Sequence, residues 1–459
     1  MAVPASFAAR ACANGFSGAR SCPTLAIERY SVSTTRFILV ALLCCSPAIL
    51  LWDGLITLSL VAEIVAIALV ITARALRPGE TGFLISIIRR PLAFAAIPAV
   101  WMLIQALPLR LVPHPIWKSA ETVLGHPLAD AISIDPGATI IALGQYLSML
   151  SVAFLAAAVA VDRQRAEWLL FALTIATTAI ALMILTHELI LPGSWLTACA
   201  HDQAIDCSAM GTIIASTACV RSIERNEMRQ AAHRSASALP LSFAAPCAAL
   251  VICAVPLLFQ ATLPTLFATA YGLLTLVCVM LIRRLDLGWL GITGLAVTAI
   301  GAALLLLAAH PSGRGTSASL SFAASPPALR SLSQHVLDDA PLVGTGARTF
   351  MALAPAYREI NDPQPDCSAA TAAATFAIEL GRPMFWLIVV GTLGAVIVLL
   401  RDALLRGRDW FYPAMGGACL LTLLLLSFTN TGLLGTTTGL FIAAALGLAF
   451  VQSRSRSAK

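Results

Sequence analysis

The chain has 459 residues, of which 59% are hydrophobic and 11% charged, with a formal net charge of +6 and a mean hydropathy of +0.87. A water-facing domain carries about 25% charged residues, so a soluble globular protein is excluded. Apolar runs near twenty residues recur along the chain and lack period-two alternation, which leaves an all-α bundle of membrane-spanning helices.

The N-terminal tail, 1–36, is basic, with Arg10, Arg20, Arg29 and Arg36, and resembles the basic region of a signal sequence. The apolar run from Phe37 leads through Trp52 and Asp53 into another run without a small-x-small cleavage site, which predicts a retained signal anchor. Twelve spans are expected at 37–52, 56–76, 91–109, 139–161, 168–190, 207–220, 241–259, 263–282, 288–308, 384–400, 411–428 and 431–451. The sixth is short and amphipathic, and a re-entrant segment there would reverse the parity of everything after it. Basic residues argue for counting it. Arg74, Arg77, Arg89 and Arg90 follow the second span, Arg163 and Arg165 the fourth, and Arg221, Arg225, Arg229 and Arg234 the sixth. Arg283 and Arg284 follow the eighth, Arg401, Arg406 and Arg408 the tenth, and Arg454, Arg456 and Lys459 the twelfth. By the positive-inside rule, each of these exits and both termini are cytoplasmic.

The organisation expected is therefore a cytoplasmic tail (1–36), nine spans (37–308), an external, periplasmic loop domain (309–383), three spans (384–451) and a cytoplasmic tail (452–459) in a bacterial inner membrane. The positive charge reads as cytoplasmic trim, so no nucleic-acid partner is expected. The twelve cysteines form no metal-ligand pattern, and most lie in spans, where Cys behaves as a small hydrophobe. Cys199, Cys207 and Cys367 fall outside, and a Cys199–Cys207 disulfide is one pairing to test. No cofactor or metal is expected.

Three external segments remain. The first, 110–138, holds His114-Pro, His126-Pro, Trp117 and the turn-like SIDPG run. The second, 191–206, holds Trp195, His201, Asp202 and Asp206. The third, 311–383, is the longest, and loops of such length are usually functional or disordered. Its small, polar, Pro-ended start reads as flexible. A short helix is expected at 328–338 with Leu329, Leu332 and Val336 on one face, ended by Pro341. Gly344-Thr345-Gly346 makes a turn before Arg348. A second helix is expected at 368–380, capped by Asp366 or Ser368 and stopped by Gly381-Arg382-Pro383. Thr371, Thr375 and Glu379 share one of its faces, and Ala370, Ala374 and Ala377 form a small-residue face suited to close packing.

The stretch DDAPLVGTGARTF (338–350), followed by AIELGRPMFW (377–386), resembles the large periplasmic loop of the O-antigen ligase and polymerase superfamily. Pro341, Gly344, Gly346, Phe350, Glu379 and Gly381 match its Pro-x-x-Gly-x-Gly-x-x-x-Phe signature and its Glu-x-Gly. The His-Asn pair of the ligase branch is absent, since Ala370-Thr371 stand there. The resemblance implies transfer of a glycan from a polyprenyl-diphosphate-linked donor to a glycan or lipid A-core acceptor hydroxyl. Its partners would be membrane lipids and these two substrates. The diphosphate is a good leaving group, so fixed positive charge suffices, and Arg matches phosphate oxygens better than Lys.

Arg348 and Arg358 are the favoured catalytic residues, because they flank the turn and the segment after it; Arg348 could instead cap turn carbonyls, and Arg358 could pair with Glu359 or Asp362. His335, near Ser331, Asp338 and Asp339, is a candidate base held by a carboxylate, or else a solvated helix histidine. His114 and His126 suit loop shaping, Glu379 a helix end and Arg382 snorkelling. Glu63 is an intramembrane carboxylate, either functional or neutral and bonded to a neighbour. Two rival readings stand: a transporter or flippase of polysaccharide or lipid-linked glycan, and an inactive accessory subunit of glycan export. Transporters tend to show internal repeats, and no convincing repeat relates the halves here.

The topology makes a direct prediction. With single cysteines at Ser317 and Ser453 in a background lacking reactive thiols, an impermeant maleimide added to intact cells labels the first and misses the second. Equal protection of both overturns it.

Overall fold

The structure, a computed structural model, describes residues 23–75, 78–108, 114–125, 131–190, 197–231, 241–285, 327–358, 369–407 and 409–454. Among these residues there is no strand. The helices are α1 (Pro23–Cys44), α2 (Ser46–Leu51), α3 (Leu55–Ala75), α4 (Pro78–Ala106), α5 (Pro115–Leu124), α6 (Pro136–Ala160), α7 (Arg163–Ile190) and α8 (Ala198–Ala231). There follow α9 (Leu241–Gln260), α10 (Leu263–Arg284), α11 (Pro327–Asp339), α12 (Phe350–Tyr357), α13 (Ala372–Glu379), α14 (Arg382–Leu405), α15 (Phe411–Leu426) and α16 (Thr436–Ser453), with a 3-10 turn at Gly432–Leu434.

The chain is a helical membrane protein. Eight helices among the described residues are long and apolar enough to cross a membrane, in α3, α4, α6, α7, α9, α10, α14 and α16. They coincide with eight of the twelve expected spans. The other four differ. The first is broken at Cys45, where Pro47 ends α1 and starts the six-residue α2. The ninth, 288–308, lies outside the described residues. The eleventh, α15, is 16 residues long and almost wholly buried.

The sixth is the largest departure. In place of a short amphipathic segment at 207–220 stands α8, a continuous helix of 34 residues. It packs on α7, α9, α10, α15 and α16, so its middle faces protein on all sides. Gln203, Asp206, Ser208, Thr212, Thr217 and Arg221 are all buried along it. The hydroxyls of Thr212 and Thr217 donate to the carbonyls of Ala209 (2.7 Å) and Ile213 (2.9 Å) in the helix itself. A helix surrounded by other helices has no need of a lipid-like composition.

The two ends of the bundle differ in chemistry. At one end the basic connections meet: Arg163 pairs with Asp409 at 2.8 Å, Arg221 with Glu167 at 2.6 Å, and Trp410 Nε1 donates to Glu224 Oε1 at 2.6 Å. Arg283 donates to the carbonyls of Ala403 (3.0 Å) and Gly407 (2.8 Å) and lies over the Trp410 ring. These arginines lock helix ends together, a role beyond charge trim. At the opposite end lie the connections that build the site described next.

Close packing gives a paired test. A Cβ on Gly211 would lie 2.8 Å from Cys253 Sγ and 2.9 Å from Thr177 Cβ, whereas one on Gly144 would meet nothing within 4 Å. Gly211→Ala is expected to destabilise detergent-solubilised protein by about 1–3 kcal/mol, and Gly144→Ala to leave it as stable or slightly more so. Thermal unfolding of both variants decides this, and equal midpoints would refute the α7–α8–α9 packing.

Candidate functional site

The turn at 341–350 is built from conformations that ordinary residues avoid. Gly344 has φ 82° and Gly346 φ 106°. A Cβ on Gly344 would lie 2.6 Å from Gly381 N, and one on Gly346 would run into the Ser133 side chain. Only glycine fits either place. Arg348 also lies in the left-handed region, at φ 65°. For a residue with a Cβ that conformation costs about 1–2 kcal/mol.

Three parts of the chain hold this turn. Ile134 N donates to Thr345 O at 2.9 Å, in the segment whose Asp135 caps α6 by accepting from Ala138 N at 3.0 Å. The α4 end supplies Gln105, whose Nε2 donates to both Val343 O and Glu379 O at 3.0 Å, and Trp101, whose Nε1 donates to Leu380 O at 2.8 Å. The α13 end supplies acceptors, Thr345 N donating to Ile378 O (3.1 Å) and Gly346 N to Glu379 O (3.0 Å). The other end of α13 is fixed too. Thr371 caps it by accepting from Ala374 N at 3.1 Å, and Ala372 N and Ala373 N donate to Asn430 O and Ser427 O at 2.8 Å.

At the centre is Glu379. Its Oε2 accepts from Arg348 N at 2.7 Å and its Oε1 from Phe350 N at 3.1 Å, with Thr349 N bonding the same carboxylate. Successive amides converging on one anion form a backbone nest. Burial raises this carboxyl and outweighs the lowering by the amides and the Arg348 charge, which leaves it at about 7. The Arg348 side chain itself is exposed, and its guanidinium makes no hydrogen bond or ion pair among the described residues.

The other expected residues fall around this turn. Arg358 is half-buried and ends α12, so about 12 Å of helix separates it from Arg348. Glu359 and Asp362, its suggested partners, lie outside the described residues. His335 is exposed on α11, which forms as expected at Pro327–Asp339. The neighbouring carboxylates are engaged elsewhere, Asp338 with Arg382 at 3.8 Å and Asp339 with Tyr357. Among the described residues no hydrogen bond joins His335 to either. Arg382 donates to Leu337 O at 2.8 Å and closes the end of α11, which replaces the snorkelling reading.

His114 shapes its loop, its Nδ1 accepting from Ile116 N at 3.3 Å to cap α5; burial lowers its pKa. His126 lies outside the described residues. Glu63 is exposed on the side of α3. Cys199 is disulfide-bonded, but Cys207 is a free, buried thiol beside Thr438, so the Cys199–Cys207 pair does not form. The second loop helix is shorter than expected, starting at Ala372 with Thr371 as its cap. The helices α5 and α12 were not anticipated.

A second polar knot lies beside α13. Asn430 Nδ2 donates to Asp206 Oδ1 at 2.7 Å and Thr431 Oγ1 to Asp202 Oδ2 at 2.9 Å. Asp53 accepts from Gln203 Nε2 at 2.9 Å and from Thr436 Oγ1 at 3.1 Å. Sequence reasoning missed Gln105, Trp101 and Asn430 as supports, because each acts across a gap of more than two hundred residues from its partner. No protein-family model matches the chain, and no curated protein matches it.

Two outcomes follow for Glu379. Glu379→Ala leaves buried amides at Arg348 and Phe350 unpaired and is expected to cost about 2–4 kcal/mol in thermal unfolding. The pH dependence has a definite sign. A carboxyl whose pKa is raised on folding contributes most below its unfolded value and loses that contribution as pH rises to about 7. Wild-type stability relative to Glu379→Gln should therefore fall between about pH 4.5 and 7, and parallel curves would refute it.

Proposed function

We propose that this chain is an O-antigen ligase/polymerase-like glycosyltransferase of a bacterial inner membrane, with both termini cytoplasmic. It moves a glycan from a polyprenyl-diphosphate carrier to an acceptor hydroxyl at the periplasmic face. The observation that carries this reading is Arg348: an exposed guanidinium that makes no hydrogen bond or ion pair among the described residues, mounted on a Gly-x-Gly turn that three other segments hold fixed.

In the reaction the acceptor oxygen forms a bond to the anomeric carbon as the bond from that carbon to the carrier diphosphate breaks. The electron pair leaves with the diphosphate. Charge grows on the leaving group, and a guanidinium carried on a backbone that is held in place stabilises it. The hydroxyl proton is released from the acceptor, and His335, exposed on α11, is the loop's candidate to receive it. Arg358 supplies a second positive group beyond α12.

The polar knot of Asp53, Asp202, Gln203 and Asp206 is the observation that favours a transporter. These groups are hydrogen-bonded at one end of the bundle, whereas transport sites gather near the middle of the membrane beside broken helices. The enzyme reading is therefore preferred.

Arg348→Ala is expected to abolish glycan transfer without lowering the amount of protein in the membrane. Arg348→Lys should also be impaired, since a point charge does not reproduce a two-pronged contact. Loss of a charge-assisted contact of roughly 2–4 kcal/mol slows the step by about thirty- to a thousandfold. Arg330→Ala, on α11, controls for general loss of charge and should matter less, and EDTA should have little effect. Normal glycan from Arg348→Ala would remove this residue from the site. Unchanged surface glycans after deletion of the gene would remove the enzyme reading as well.

A further inference from the structure

We infer that Glu379 is a positioning residue, whose carboxylate holds the backbone of Arg348 in the left-handed conformation and so presents the guanidinium to a lipid diphosphate. This rests on the reading of Arg348 given above and adds a residue to it.

The choice of residue at 348 is the first argument. Twice in the preceding four positions the chain uses glycine for a positive φ, at Gly344 and Gly346. At 348 it accepts the strain of a side chain, and that side chain is exposed. Strain kept where glycine would relieve it points to use of the side chain. Something must then hold the strained residue, and the contacts name it. The amide of Arg348 donates to Glu379 Oε2 at 2.7 Å, across 31 residues of sequence.

The other roles open to Glu379 fit less well. A proton acceptor needs a free oxygen facing the substrate, yet this residue is only 8% exposed and both its oxygens accept backbone amides. A group serving only its own helix end would bond amides of α13 or α14. Glu379 reaches instead to the residues that start α12. Its own backbone is clamped by Gly346 N and Gln105 Nε2, so the carboxylate is a fixed point to which Arg348 is referred.

The test is a double-mutant cycle on the full-length, detergent-solubilised protein, read as the dissociation constant for undecaprenyl diphosphate, with undecaprenol as the uncharged comparison. Arg348→Ala and Glu379→Gln should each weaken binding by about tenfold or more, and the double variant should bind no more weakly than Arg348→Ala. A merely structural Glu379 would lower the fraction of protein able to bind and leave the dissociation constant unchanged. Wild-type affinity in Glu379→Gln, or a further full loss when it is added to Arg348→Ala, overturns the inference. If Glu379→Gln does not accumulate, Glu379→Asp, which keeps the charge and retracts it, enters the same cycle with the same criteria. Wild-type affinity in Arg348→Ala, or equal binding of undecaprenol by the native protein, overturns the reading of Arg348 itself.

Discussion

A carboxylate out of water must find donors, and at Glu379 the donors are consecutive main-chain amides, not side chains. The donors converge where the backbone passes through left-handed conformations at Gly344, Gly346 and Arg348 and enters α12. The dependence runs both ways. Without the carboxylate the amides of the turn have no acceptor, and without the turn the acid has no donors. The α4 end and the 131–135 segment are then fixed to the same place, because Gln105 and Ile134 donate to carbonyl groups that the turn leaves over.

The bundle beneath answers a similar problem differently. Helix α8 carries a carboxyl, an amide and an arginine through the protein interior, and each is met by a group from elsewhere in the chain: Asp206 by Asn430, Gln203 by Asp53, Arg221 by Glu167. Shielded by α7, α9, α10, α15 and α16, it is the pillar on which outer helices present their apolar sides. The exposed Ile56, Val70, Val100, Val251 and Val390 on α3, α4, α9 and α14 form that outer surface.

Helix periodicity and charge made the outer bundle legible, because helices that face lipid obey a composition rule set by the solvent around them. The same rule fails for α8, whose solvent is other protein. In the loop, stop signals placed α11 to within a residue at each end, since Pro341 and the apolar spacing act locally. Thr371 was overlooked as a cap because Asp366 and Ser368 have equal claim by residue type, and only the contact of α13 with 427–430 decides among them. Helix α12 was hidden by Pro355 and by its short length. The Gly-x-Gly turn and Arg348 were visible as a pattern. That Glu379 grips Arg348 was not, because a hydrogen bond to a backbone amide leaves no signature in residue type.

The anchoring of α13 has a consequence for biogenesis. Its first amides bond to carbonyls at Ser427 and Asn430, between the last two long helices, and its far end carries the acid on which the turn closes. A nascent chain emerges from the ribosome in order, so the turn and the acid are both made before the carbonyls that seat them exist. The loop must therefore wait, unsealed, until α15 has been inserted and the chain beyond it has turned back. Assembly of the exposed arginine site is thus a late event that reports completion of the membrane bundle, and chains cut short before residue 427 would enter the membrane without it.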